Sequence, residues 1–79
     1  MKIYDYNGKK NLCGKKIKEA RRKLGISQQE LAARLQVEGI NIERDSVSRI
    51  EIGTRFVADY EIKVFCKILG VSADYLLEI

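Results

Sequence analysis

From about residue 12 onward, apolar residues recur every three or four positions along this 79-residue chain, the period of helices that bury one stripe and leave the rest in water. Ile17, Ala20 and Leu24 share a face of a first helix whose other faces are crowded with Lys and Arg, and Gly25 supplies the φ > 0 residue that commonly ends a helix. Ser27-Gln28-Gln29-Glu30 has the form of a capping box, in which the Ser27 hydroxyl takes an orphan N–H and Glu30 reaches back to the cap. A second helix starts there, carries Leu31, Ala32 and Leu35 inward, and ends before Gly39. The segment Glu38-Gly39-Ile40-Asn41-Ile42-Glu43 reads as a connector whose two isoleucines fold it down on the core.

A third helix is predicted over Arg44 to Ile52, with Gly53 past its end. It is short and one-sided: Val47 and Ile50 fall on one face, while Arg44, Asp45, Ser48 and Arg49 fan across the other. Asp59 is placed to cap a fourth helix with Ile62, Phe65, Cys66 and Leu69 inward and Gly70 closing it. Ser72 caps a short fifth turn, Ala73 to Glu78, which offers Tyr75 and Leu76 for packing. Residues 1–11 carry no helical stripe, and Asn7-Gly8 marks a turn, so they read as an arm preceding a domain of residues 12–79.

Composition fits one small all-α domain: there is no proline, and helix-favouring Lys, Arg, Glu, Leu, Ala and Ile dominate. The net charge of +4 is unevenly spread, with ten Lys or Arg against three acids in residues 1–35 and five against eight in residues 36–79. Such a basic half favours a polyanion. Histidine is absent and the two cysteines, Cys13 and Cys66, lie far apart in sequence, so no zinc-ligand spacing and no Cys/His catalytic pair is available. Cys66, among Ile62, Phe65 and Leu69, reads as a small core residue, and a Cys13–Cys66 disulfide is left open. Neither a signal peptide nor a membrane span is apparent, which suggests a reducing cytoplasm.

The stretches GISQQELAARL, SVSRIEIGTR and FCKILGVSADYLL together resemble the Cro/C1-type (phage-repressor-like) helix-turn-helix family, over about Cys13 to Leu77. The combination of S-Q-x-E-L-A, S-R-I-E-x-G and L-G-V-S carries the resemblance. It implies a five-helix, lambda-repressor-like DNA-binding domain in which the second and third helices form the helix-turn-helix. Three departures stand out. The connector between Leu35 and Val47 is about five residues longer than the family's tight turn, like that of a longer-turn subgroup with a Gly-hydrophobic-x-hydrophobic insertion, here Gly39-Ile40-Asn41-Ile42. Ile52 stands where a polar Asn is common, so a hydrogen bond usual at that helix end is expected to be missing. The proline common before the fourth helix is absent, which leaves Arg55 to Asp59 less rigidly specified.

A polar helix face of this kind suits the major groove, where each base pair shows its own donor and acceptor pattern. Arg44 can fork onto guanine O6 and N7, Asp45 can accept from the cytosine N4 amine, Ser48 can bond either a base or a phosphate, and Arg49 lies one turn deeper. The carboxylate argues for base readout, because phosphates repel it. Phosphate contacts are expected from the first turn of the second helix, with Gln28 and Gln29 beside its free N–H groups, and from Ser46. The resemblance adds Thr54 and Arg55, in the loop after the recognition helix, as backbone contacts. It also implies a buried ion pair, Arg21 with Glu51, that fixes the angle of that helix more than it adds stability.

The expected function is sequence-specific binding of double-stranded DNA by a transcriptional regulator, a repressor, acting as a homodimer on a two-fold operator. The dimer surface is expected in the C-terminal apolar segment, Tyr75 to Ile79, with help from Tyr4 and Tyr6. The alternative is an antitoxin-like protein-interaction module on the same fold, distinguishable by its weak response to salt. An enzyme is set aside: there is no Gly-rich phosphate loop and no Ser or Cys beside a credible base, and no metal or cofactor is called for.

Overall fold

The computed structural model describes residues 5–79, in which five helices follow one another: α1 (Gly14–Leu24), α2 (Gln28–Val37), α3 (Arg44–Ile52), α4 (Asp59–Leu69) and α5 (Ala73–Leu77). α1 packs against α3, α4 and α5, while α2 packs against α3 and α4. One core runs between them, built on Ile17, Leu31, Leu35, Val47, Ile50, Phe65 and Leu76, all fully buried. The connector contributes to it too, since Ile42 is buried and Ile40 packs alongside. Its backbone is satisfied locally: Ile40 N–H donates to the Leu35 carbonyl at 2.9 Å, and the Gln36 amide donates to the Ile42 carbonyl at 3.1 Å.

Helix ends follow local chemistry, with two corrections. Ser27 Oγ accepts from the Glu30 N–H at 3.0 Å, but the Glu30 carboxylate turns forward to Arg34 at 2.8 Å, so the box is only half made. Asp59 is the first residue of α4, not its cap. The cap position is Ala58, which has no side-chain oxygen, and Glu61 reaches back from inside the helix to accept the Ala58 N–H at 2.9 Å. Both carboxylates thereby sit at the positive end of the helix dipole.

Leu24 is a third correction: it is 46% exposed. The stripe of α1 passes instead through Cys13, Ile17, Ala20 and Arg21, and Ile26, just beyond the Gly25 turn, takes the buried place. Cys13 and Cys66 are both free thiols, the first buried and the second half-buried against the core. Burial pushes the Cys13 thiol up to about 11, helped by Cys66 and Glu61 nearby, and burial raises Cys66 as well.

Candidate nucleic-acid interface

α3 is held by Val47 and Ile50, both fully buried, and by its flank residue Glu51. On its other side Arg44, Asp45 and Arg49 are exposed, and Ser46 and Ser48 are half-buried. Arg44, Asp45, Ser46 and Arg49, with Glu43, ring one open hollow. Arg44 and Asp45 touch at 3.2 Å, an exposed contact that is weak in water and leaves most guanidinium donors unused. Ile52, which stands where a polar Asn is common, also lies outward and is 56% exposed. A second hollow, lined by Gln29, Ala33, Gln36, Glu43 and Arg44, separates the tip of α3 from α2.

Beneath this surface Arg21 and Glu51 meet as a forked pair, with Nε to Oε2 at 2.7 Å and Nη2 to Oε1 at 3.1 Å. Their side chains are 10% and 1% exposed. Arg21 also donates to the Ile26 carbonyl at 2.9 Å, so one guanidinium ties α1, the start of α2 and the end of α3. Gln28 joins them: its amide donates to Glu51 Oε1 at 3.0 Å. The Gln28 side chain, expected on the phosphate surface, is thus half-buried and engaged by a carboxylate, whereas Gln29 is exposed. By helix geometry the N–H groups of both residues still lack an i−4 carbonyl and point out of the N-terminus of α2.

The C-terminus of α3 is held by partners that its own sequence does not reveal. Gly53 takes φ +88°, a conformation open to glycine, and Thr54 N–H returns to the Arg49 carbonyl at 2.8 Å, closing a Schellman-type end. The segment before α1 reaches three carbonyls at this end. Tyr6 and Lys9 are paired through a tight turn in which Asn7 and Gly8 both have positive φ. From this turn Lys9 Nζ donates to the Ile52 carbonyl at 3.1 Å, Lys10 N–H to the Gly53 carbonyl at 2.7 Å, and Asn11 Nδ2 to the Ile50 carbonyl at 3.0 Å. The bond expected to be missing beside Ile52 is therefore replaced from 39 residues away. Asn11 Oδ1 also accepts the N–H of Gly14, the first residue of α1, at 2.8 Å, although the cap position itself is Cys13.

The loop after α3 is pinned as well. Arg55 donates to the Phe56 carbonyl at 2.9 Å and to Glu61 at 3.2 and 3.4 Å, while its own carbonyl accepts from Asn11 at 2.8 Å. This ion pair does the restraining work expected of the absent proline. It also means that the Arg55 guanidinium, expected at phosphate, already has a buried carboxylate partner. Thr54 is exposed, its hydroxyl 3.3 Å from the Arg49 carbonyl. Among the described residues no three metal-ligating side chains converge, and no helix is long and apolar enough to cross a membrane.

Two helices joined through a folded connector, the second anchored by two aliphatic side chains and polar outward, define a helix-turn-helix unit. The sequence profile of the helix-turn-helix family matches residues 17–76, about three quarters of the chain. The chain belongs to the Cro/C1-type helix-turn-helix family, with the lambda-repressor-like fold and the DNA-binding regulatory role of that family. Comparison with curated proteins and with solved structures gave no match in either case. The matched span begins after Asn11, Cys13 and Gly14, so the segment that covers the end of α3 lies outside it.

Proposed function

We propose that this chain is a sequence-specific transcriptional repressor of the cytoplasm that lays α3 in the major groove of double-stranded DNA. The observation that carries this reading is the division of α3 itself: Val47 and Ile50 fully buried, Arg44, Asp45 and Arg49 exposed on the opposite side. A helix so anchored presents its donors and acceptor without first having to be ordered. Arg44, Asp45, Ser48 and Arg49 read bases; Gln29, Ser46, Thr54 and the N–H groups at the start of α2 hold phosphate, with Gln28 and Arg55 contributing less through their side chains because each is engaged by a carboxylate. Residues 12–79 form the binding unit, braced by Lys9, Lys10 and Asn11.

The protein acts as a homodimer on half-sites about one helical turn apart. For the contact between copies the surface of choice is the chain end at Ile79, 86% exposed, with Tyr6; Leu76 and Tyr75 are already used within the monomer, and Tyr4 lies outside the described residues. Selection from random duplex DNA tests the reading, repeated with Arg44→Ala and Asp45→Ala. The expected result is loss of preference at separate base positions, by about 1–3 kcal/mol each, together with binding by the unsubstituted chain that weakens steeply as salt rises. Equal affinity for all duplexes, or a uniform loss across sequences, speaks against it.

A further inference from the structure

Asn11 is bonded to three separate parts of the fold. Its Nδ2 donates to the Ile50 carbonyl at 3.0 Å and to the Arg55 carbonyl at 2.8 Å, and its Oδ1 accepts from the Gly14 N–H at 2.8 Å. Both amide protons and the carbonyl oxygen are in use, and only a carboxamide has that set: an aspartate has no donors and a serine has one. The two accepting carbonyls lie on either side of Gly53, one in the last turn of α3 and the other in the loop beyond it. One planar group therefore spans the bend at which the polar helix gives way to the loop carrying Thr54. The start of α1 is pressed against the same point, since a side chain at Gly14 would overlap the Ile50 carbonyl oxygen. Lys9 and Lys10 add two further bonds, to the carbonyls of Ile52 and Gly53.

On the reading that α3 enters the major groove and the following loop meets phosphate, we infer that Asn11 is a positioning residue for DNA recognition: it sets the angle between the base-reading helix and the phosphate-gripping loop. It need not touch DNA to do so. Phosphate contacts fix a protein's register on the duplex, so a loop that shifts relative to α3 loses its contact while α3 keeps its chemistry. The Schellman-type bonds, Gly53 N–H to the Ile50 carbonyl and Thr54 N–H to the Arg49 carbonyl, close the bend only as far as Thr54, and Asn11 carries the tie on to Arg55. The Arg55–Glu61 pair ties the loop to α4, whereas Asn11 ties it to α3 and α1 together.

The test is fluorescence-anisotropy titration of the full chain on its selected duplex across a salt series, for the unsubstituted protein, Asn11→Asp and Asn11→Ser. Circular dichroism first establishes the temperature at which each is fully folded. Asn11→Asp keeps the acceptor for the Gly14 N–H and removes both donors, and Asn11→Ser controls for the charge it adds. The expected result is about tenfold weaker binding for Asn11→Asp, equivalent to about one lost hydrogen-bonded contact. Faster hydrogen exchange at Thr54 and Arg55 in the free protein should accompany it, and Asn11→Ser should lie between. Folded Asn11→Asp with unchanged affinity overturns the inference, as does a loss in Asn11→Asp that the uncharged Asn11→Ser does not share, which assigns the loss to the added charge and not to the missing donors. If the unsubstituted chain shows no preferred duplex and no salt dependence, the reading of α3 fails along with this inference, and that failure appears before any substitution is made.

Discussion

Replacing Arg21 by Ala is expected to remove a large part of the stability of this domain. The substitution deletes two charge-assisted bonds to Glu51 and one to the Ile26 carbonyl, and it leaves a carboxylate that is 1% exposed with the neutral Gln28 amide as its remaining partner. Breaking a buried pair from one side costs about 3–5 kcal/mol, because the surviving charge is left uncompensated. Against it, 79 residues at ~0.05–0.15 kcal/mol each give a total of roughly 4–12 kcal/mol. Urea denaturation followed by circular dichroism should show the midpoint falling by about a quarter or more. The double variant Arg21→Met, Glu51→Leu removes both charges at similar volume and is expected to recover to within about 2 kcal/mol of the parent, the usual outcome when a buried pair is exchanged for packed apolar groups. It should nevertheless bind DNA more weakly, since methyl groups do not hold the angle that a forked hydrogen-bond pair sets. A loss below about 1 kcal/mol in the single variant would refute the reasoning, because the carboxylate would then be finding solvent. A double variant no more stable than the single one would do the same, since the penalty would not come from an unpaired charge.

Three further outcomes follow from the packing. Gly14→Ala drives a methyl group into the Ile50 carbonyl oxygen, a backbone atom that has no rotamer to escape into, so a loss of about 1–3 kcal/mol is expected in urea melts. Ser27→Ala, which removes the acceptor for the Glu30 N–H, should cost about 1 kcal/mol by the same measurement. Cys13 gives a pH signature: burial, then Cys66 and Glu61, raise its thiol from 9.0 to about 11, so the folded state holds the proton more tightly than the unfolded chain. Its contribution is complete below pH 9 and is lost as pH rises toward 11, by about 2–3 kcal/mol at most. Melts of the parent and of Cys13→Ala between pH 8 and 11 should therefore converge as the solution becomes alkaline; parallel curves would contradict the assigned burial.

The one-dimensional order of residues determined the five helices, the glycine ends of α1, α3 and α4, the bounds of α3 and which of its faces is polar. Each of these depends on neighbours within one or two turns, where the helical period and capping chemistry act directly. Family motifs carried the long-range pair of Arg21 with Glu51, which no local rule would have found. Tertiary structure decided the rest. Whether Leu24 or Ile26 is buried depends on where α1 stops relative to its neighbours, and a periodicity cannot resolve a residue at the edge of its stripe. Gln28 and Arg55 carry donors that suit phosphate as well as carboxylate; the carboxylates of Glu51 and Glu61 hold them in the folded chain because folding brings those groups within hydrogen-bond reach. Asn11 is the clearest case: its bond from the Gly14 N–H is local, but its bonds to Ile50 and Arg55 cross 39 and 44 residues. A hydrogen bond is set by distance and direction in space, so partners this far apart in sequence are fixed only once the chain has folded.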